Sequence, residues 1–253
     1  MLARGAPDDV LVRAAAANQT AWMARTAEAA GGVVLHEPGV TWMASVAGAI
    51  LAFPRISQKR LAELLPRFLD AGRDAGACEA SCWSLLPTTP RDLDDALQGS
   101  GFRTGWEAHW MAAEILERHQ GLPAGVRVAL APPEWEPTEL PWDGAGIAMV
   151  RRRLAASTPR MVWHLGAWRG DAAVGHALVN VSRGRLGVAG VYDMGVEASE
   201  RRRGIGRALT QAALHLARSQ GCAIATLNAT PEGELLYRRL GFRSVGIART
   251  WWR

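Results

Sequence analysis

Eight consecutive residues, Arg201-Arg202-Arg203-Gly204-Ile205-Gly206-Arg207-Ala208, bring the means to hold an anion into one short segment. The arginines supply positive charge, and Gly204 and Gly206 let the backbone turn tightly and press its N–H groups against a ligand. Ile205, Leu209, Ala213 and Leu216 repeat at helical spacing, so a helix starts beside the glycines and adds its partial positive charge. Each such term is about 0.3–1 kcal/mol when exposed and up to about 2 kcal/mol when partly buried, and several amides converge on one anion. A pyrophosphate suits the pattern. Two other phosphate loops do not fit it: no Gly-Lys-Ser/Thr follows, as a Walker A loop requires, and the third glycine of G-x-G-x-x-G is missing.

Such a loop works only if regular elements hold it. A strand over 187–196 leads into it, the helix over 204–220 follows, and a second strand spans 223–228. A helix over 235–240, Gly241-Phe242 and a last strand near 245–251 close the chain. Upstream, 145–155 reads as helix, and 162–168 with 174–181 as a hairpin around Arg169-Gly170-Asp171. The N-terminal half has helical patterns over 10–30, 57–72 and 90–98, with strands over 33–36, 40–46, 49–53, 80–85 and 106–113. Ala96-Leu97-Gln98-Gly99-Ser100-Gly101-Phe102 echoes Leu235-Leu236-Tyr237-Arg238-Arg239-Leu240-Gly241-Phe242, as a diverged internal duplication would. The predicted fold class is α/β (α+β): two related domains, 1–117 and 145–253, each a mixed, mostly antiparallel twisted sheet flanked by helices. A proline-rich linker over 118–144 joins them.

The spacing Arg201-x-x-Gly204-x-Gly206 resembles the acyl-coenzyme A pyrophosphate loop of the GCN5-related N-acetyltransferases (GNAT). Two downstream features agree: Asn228 ends the following strand, and Leu236-Tyr237-Arg238-Arg239-Leu240-Gly241-Phe242 matches the Leu-Tyr-x-x-x-Gly-Phe signature of the family's last helix. The likeness covers residues 145–253. Residues 1–115 resemble only the scaffold, in the manner of tandem members with a decayed N-terminal copy. The segment 51–72 holds Arg55, Lys59 and Arg60 but no glycine loop, so no cofactor is expected in that half.

The resemblance implies that acetyl-CoA is held by Arg201, Arg202, Arg203, Gly204, Ile205, Gly206, Arg207, Ala208 and Asn228, with Tyr237 beside it. A backbone N–H from Met194, Gly195 or Val196 would polarise the thioester carbonyl. Splaying of the strand at 223–228 would admit the pantetheine arm, and Tyr237 would be the general acid that protonates the departing thiolate. Asp193 is the preferred base. Glu197, Glu232, Glu234 and His176 are other candidates, and ordered water is a further route. Residues 228–234 depart from the commoner pattern by inserting a turn before the tyrosine helix.

Composition narrows the remaining classes. With 253 residues, 49% hydrophobic and 21% charged, the chain is an ordinary globular protein. A net charge of +5 comes almost wholly from arginine, since Lys59 is the single lysine. Without a lysine-rich tail or an RNA-binding aromatic motif, nucleic acid is not expected as a partner. Cys78, Cys82 and Cys222 cannot all pair and lack histidines at metal-ligand spacing, so reduced thiols and no metal are expected. The first ten residues carry Asp8 and Asp9 and no apolar core, and no apolar run reaches about 18 residues, so neither a secretion signal nor a membrane span is expected. The expected protein is cytoplasmic, a monomer or homodimer. Its expected activity is acetyl-CoA-dependent acetylation of a primary amine on a small molecule, by direct attack in a ternary complex. A non-catalytic acyl-CoA sensor and a peptide or protein N-acetyltransferase are the competing classes, and Tyr237 favours an enzyme.

Overall fold

A computed structural model of the chain describes residues 1–88, 90–116, 121–132, 135 and 147–253. Two compact units form, and neither is one continuous stretch: Met1–Asn18 joins Trp110–Val245, and Gln19–His109 joins Gly246–Arg253. Helix α1 (Asp8–Ala29) and the strands β5 (Arg103–Glu114) and β11 (Arg243–Trp252) therefore each pass from one unit to the other. The linear division at 118–144 does not anticipate this exchange of chain ends.

Buried polar groups give it a physical reason. Asn18 is fully buried, and its Nδ2 donates to the carbonyls of Asn180 (3.2 Å) and Val188 (2.9 Å) and to Ser182 Oγ (2.9 Å). Its Oδ1 accepts from Tyr192 Oη (2.7 Å) and Asn180 Nδ2 (3.1 Å). A buried amide must be paired, and this one finds its partners only among the C-terminal strands. At the other end Trp251 is fully buried in the second unit, where its indole N–H donates to Asp94 Oδ1 at 2.7 Å.

In the first unit the strand order is β5, β10 (Ile224–Ala229), β9 (Ala189–Val196), β8 (Ala172–Val181), β7 (Val162–Arg169) and β6 (Val126–Leu130). The strands β6 to β9 run antiparallel to their neighbours, whereas β9 and β10 are parallel and need a crossover, supplied by helix α5 (Ile205–Ser219). Ile205, Leu209 and Ala213 bury one face of α5 with Val179, Val191 and Leu227, as the helical spacing predicts, while the fourth buried position on that face is Ala217 and Leu216 is only partly buried. Helices α4 (Ile147–Ala156) and α6 (Pro231–Arg239) complete the unit. The strand β6 corrects the expectation of linker throughout 118–144. Val126, Val128 and Leu130 alternate as strand residues do, and β6 pairs with β7 from Val126↔Arg169 to Leu130↔Leu165. The rest of that expected linker lies mostly outside the described residues.

In the second unit the order is β1 (Val33–Glu37), β2 (Val40–Ser45), β3 (Gly48–Ala52), β4 (Ala80–Leu85), β11 and β5. The parallel pair β3 and β4 is bridged by helix α2 (Gln58–Asp74), whose Leu61, Leu64, Leu65 and Phe68 are buried with Trp42 and Leu51. Helix α3 (Leu93–Gly99) buries Leu93 and Leu97 in the same core. Each unit thus contains antiparallel strands followed by a helix that crosses to a parallel strand. Among the described residues no helix is long and apolar enough to cross a membrane. Cys78, Cys82 and Cys222 are free thiols, and burial pushes that of Cys222 up to about 11.

Candidate active site

The site begins with a fault in a ladder. Along β8 and β9, Leu178 faces Tyr192 but His176 faces Gly195, so Asp193 and Met194 together oppose Ala177. This is a β-bulge, and Asp193 takes the left-handed backbone it requires, with φ of 49°. Pairing between β9 and β10 runs through Ala189↔Ala225, Gly190↔Thr226 and Val191↔Leu227, then stops, although β9 continues to Val196 and β10 to Ala229. The two strands therefore separate, with Met194, Gly195 and Val196 on one edge and Asn228 on the other.

Beyond β9 the chain makes one 3-10 turn, Ala198–Glu200, and enters the arginine–glycine loop. Arg202 and Gly204 both sit in the left-handed region, at φ of 63° and 83°. Ala208 N–H is the first to reach back along the helix, to the Gly204 carbonyl at 3.0 Å, so the amides of Ile205, Gly206 and Arg207 have no intrahelical acceptor. No side chain caps this end. A Cβ on Gly206 would stand 3.2 Å from Leu236 Cδ2, so glycine permits the close packing of α5 on α6. Arg201 Nε donates to the Val196 carbonyl at 3.1 Å, and Arg203 pairs with Glu200. Arg202 and Arg207 are exposed.

Tyr237 lies in α6 with its hydroxyl on Met194 Sδ at 3.6 Å, so the phenol reaches the bulged edge of β9. Its ring packs edge-on against Phe242 at 5.8 Å. Burial pushes the phenol up to about 12, still further above neutral pH than an ordinary phenol. The helix starts earlier than expected. Thr230 Oγ1 accepts from Gly233 N–H at 3.2 Å and Pro231 takes the first helical position, so Glu232, Gly233 and Glu234 form helix rather than an inserted turn.

Asp193 is held by a residue the sequence reading did not single out. Arg151, in α4, donates to Asp193 Oδ2 from Nε at 3.1 Å and from Nη2 at 2.5 Å, and its side chain is only 5% exposed against 19% for Asp193. The partners are far apart in sequence, and an arginine run on an amphipathic helix reads as a solvated face, so no local signal marks the pair. The other candidate bases differ in setting. Glu234 pairs with Arg238, Glu232 is exposed, and the Glu197 N–H closes the loop onto the Val174 carbonyl. His176 is fully buried, with its Nδ1 3.0 Å from His164 Nε2.

Residues 129–242 match the model of the acetyltransferase (GNAT) family. No curated protein sequence matches the chain. Among solved structures, a GCN5-related N-acetyltransferase from Kribbella flavida is 18% identical with a TM-score of 0.59, over 96% of this chain and 94% of that one. A tandem GNAT protein from the clavulanic acid biosynthesis pathway is 14% identical with a TM-score of 0.60, over 85% and 78%. A third, from Sphaerobacter thermophilus, is 17% identical with a TM-score of 0.56, over 88% and 75%. At such identities the likeness establishes the fold. The family match thus spans residues 129–242, and the wider likeness is one of fold: this chain is similar to the GCN5-related N-acetyltransferases.

Proposed function

We propose that this protein transfers the acetyl group of acetyl-CoA to a primary amine of a small molecule, by direct attack while both are bound. The observation that carries the reading is the gap between β9 and β10, with the Tyr237 phenol on its edge and the uncapped start of α5 at its mouth. The residues fit the cosubstrate. A pyrophosphate would take the amides of Ile205, Gly206 and Arg207 and the charges of Arg201, Arg202, Arg203 and Arg207, while Gly204 and Ala208 keep the approach clear of bulk. Asn228 lines the β10 side.

When bound, acetyl-CoA supplies an activated acyl group as a thioester. A backbone N–H in Met194 to Val196 would donate to the acyl oxygen and stabilise the charge that develops there. Asp193 is the base: Arg151 occupies its Oδ2, leaving Oδ1 to accept from the amine. Tyr237, whose phenol is protonated at neutral pH, would hold a proton for the departing sulfur. We assign one such site per chain, to the first unit. In the second unit the equivalent strands stay paired from Ala49↔Ala80 to Ala52↔Trp83, and the Ser57 hydroxyl caps α2 by accepting from Arg60 N–H.

A thiol-release screen with acetyl-CoA against aminoglycosides, polyamines, amino acids and peptides tests the proposal. Amine-dependent release with a small molecule supports it. Binding without turnover for any amine would make the protein a sensor, and release with peptides alone would make it a peptide or protein acetyltransferase.

A further inference from the structure

The second unit contains a cavity of about 200 Å³ that the acetyltransferase chemistry leaves unused. At about 30 Å³ per water it has room for roughly seven water-sized groups, the size of a small organic molecule. Three indoles line it: Trp22 from α1, Trp83 from β4 and Trp252 from β11, joined by Met23 and the buried Gln19. Two of these rings are held by their surroundings. Trp83 packs edge-on against Trp106 at 5.6 Å, and Trp252 lies where a Cβ on Gly105 would come within 2.3 Å of it. The Trp252 N–H is already engaged by Thr250 Oγ1 at 3.0 Å, so that ring brings π-surface rather than a donor.

Charge decides what such a chamber would hold. Of the residues that line it, Glu79 alone is charged. The Glu79 carbonyl accepts from Ala49 N–H at 3.0 Å, and Gly48 leaves space beside the glutamate stem, whose Cγ would be 3.9 Å from a Cβ there. The backbone of Glu79 is thus fixed at the lining, and its side chain is exposed. It forms no ion pair among the described residues. Aromatic faces attract cations through their negative quadrupole, most strongly where water is excluded, and a nearby carboxylate adds to that preference.

We propose that this cavity is a binding site for a small organic cation, an ammonium with a compact apolar body, seated among Trp22, Trp83 and Trp252 with its charge toward Glu79. The site belongs to the second unit alone and needs no acetyl-CoA, so its failure and that of the acetyltransferase reading are separate results.

Calorimetry on the full chain, without acetyl-CoA, tests it with choline and its uncharged isostere 3,3-dimethylbutanol. Choline should bind saturably, one per chain, and the isostere at least about fivefold more weakly, as a partly desolvated cation–π site requires. Glu79→Gln, an exposed change that leaves the fold intact, should weaken choline about twofold or more without affecting the isostere. Trp22→Leu should abolish binding. Equal affinity for the two ligands would overturn the proposal, as would heats for choline that never saturate or unchanged choline affinity in both variants. The ligand comparison uses the unaltered chain, so it stands even if Trp22→Leu misfolds.

Discussion

Replacing Tyr237 by phenylalanine removes one oxygen and leaves the ring against Phe242 at 5.8 Å. That oxygen meets the thioether of Met194 at 3.6 Å, a weak acceptor, so the change should alter stability by less than about 1 kcal/mol. Acetyl-CoA affinity should move by less than about threefold, because the amides at the start of α5 carry the phosphates. Turnover should not escape so lightly. Burial pushes the phenol up to about 12, so it is a weaker acid than an ordinary thiol and assists the departing sulfur through its O–H as negative charge builds there. General acid catalysis contributes about 10²–10⁴-fold, and a thiolate is already a tolerable leaving group, so the fall should be near the lower end, about a hundredfold or about 2.7 kcal/mol. Steady-state thiol release at saturating amine, with calorimetric acetyl-CoA binding alongside, reads both quantities. Wild-type turnover in a folded Tyr237→Phe protein would refute the reasoning and leave Tyr237 a core residue.

Other perturbations follow from the same contacts. Asp193→Asn should lower turnover by at least about tenfold if Oδ1 takes the proton, whereas a loss under about threefold would hand that role to water. Arg151→Met leaves a partly buried carboxylate without its ion pair and should destabilise the fold by about 2–4 kcal/mol in urea unfolding; an unchanged midpoint would mean that solvent replaces the guanidinium. Asn18→Leu strips Tyr192 Oη and Asn180 Nδ2 of a buried acceptor, so a loss of about 2–4 kcal/mol is expected by the same assay. Because the folded phenol of Tyr237 is raised from 10.0 to about 12, the unfolded chain releases that proton first. Its stabilisation is therefore complete below pH 10 and is lost as pH rises toward 12. Wild-type stability should fall there by about 2–3 kcal/mol more than that of Tyr237→Phe.

The turn at Gly204 and the helix start at Ile205 were legible because they are local: glycine conformations and a helix start are set by neighbours in sequence. The helical setting of Tyr237 was legible through its place before Gly241-Phe242. Two things were not. The Arg151–Asp193 pair depends on which face of α4 meets the bulge, and neither a helical arginine nor a strand aspartate announces a partner so distant. Asn18 reads as one polar residue in a long helix, yet its buried hydrogen bonds assign the start of α1 to the C-terminal strands. The strand β6 was hidden by flanking prolines and glycines, which mark turns without excluding five paired residues between them. The tyrosine helix began early because Thr230 and Pro231 form a capped start, a signal present in the sequence and outweighed by the glycine at 233.

A calorimetric titration with acetyl-CoA tests the central claim, that one acyl-CoA site lies in the first unit between β9 and β10. The account predicts a stoichiometry of one per chain, lost in Gly204→Val, where a β-branched residue would be forced to φ of 83° at the loop, and kept in Lys59→Ala. Two sites per chain, or one that survives Gly204→Val and disappears in Lys59→Ala, would contradict it.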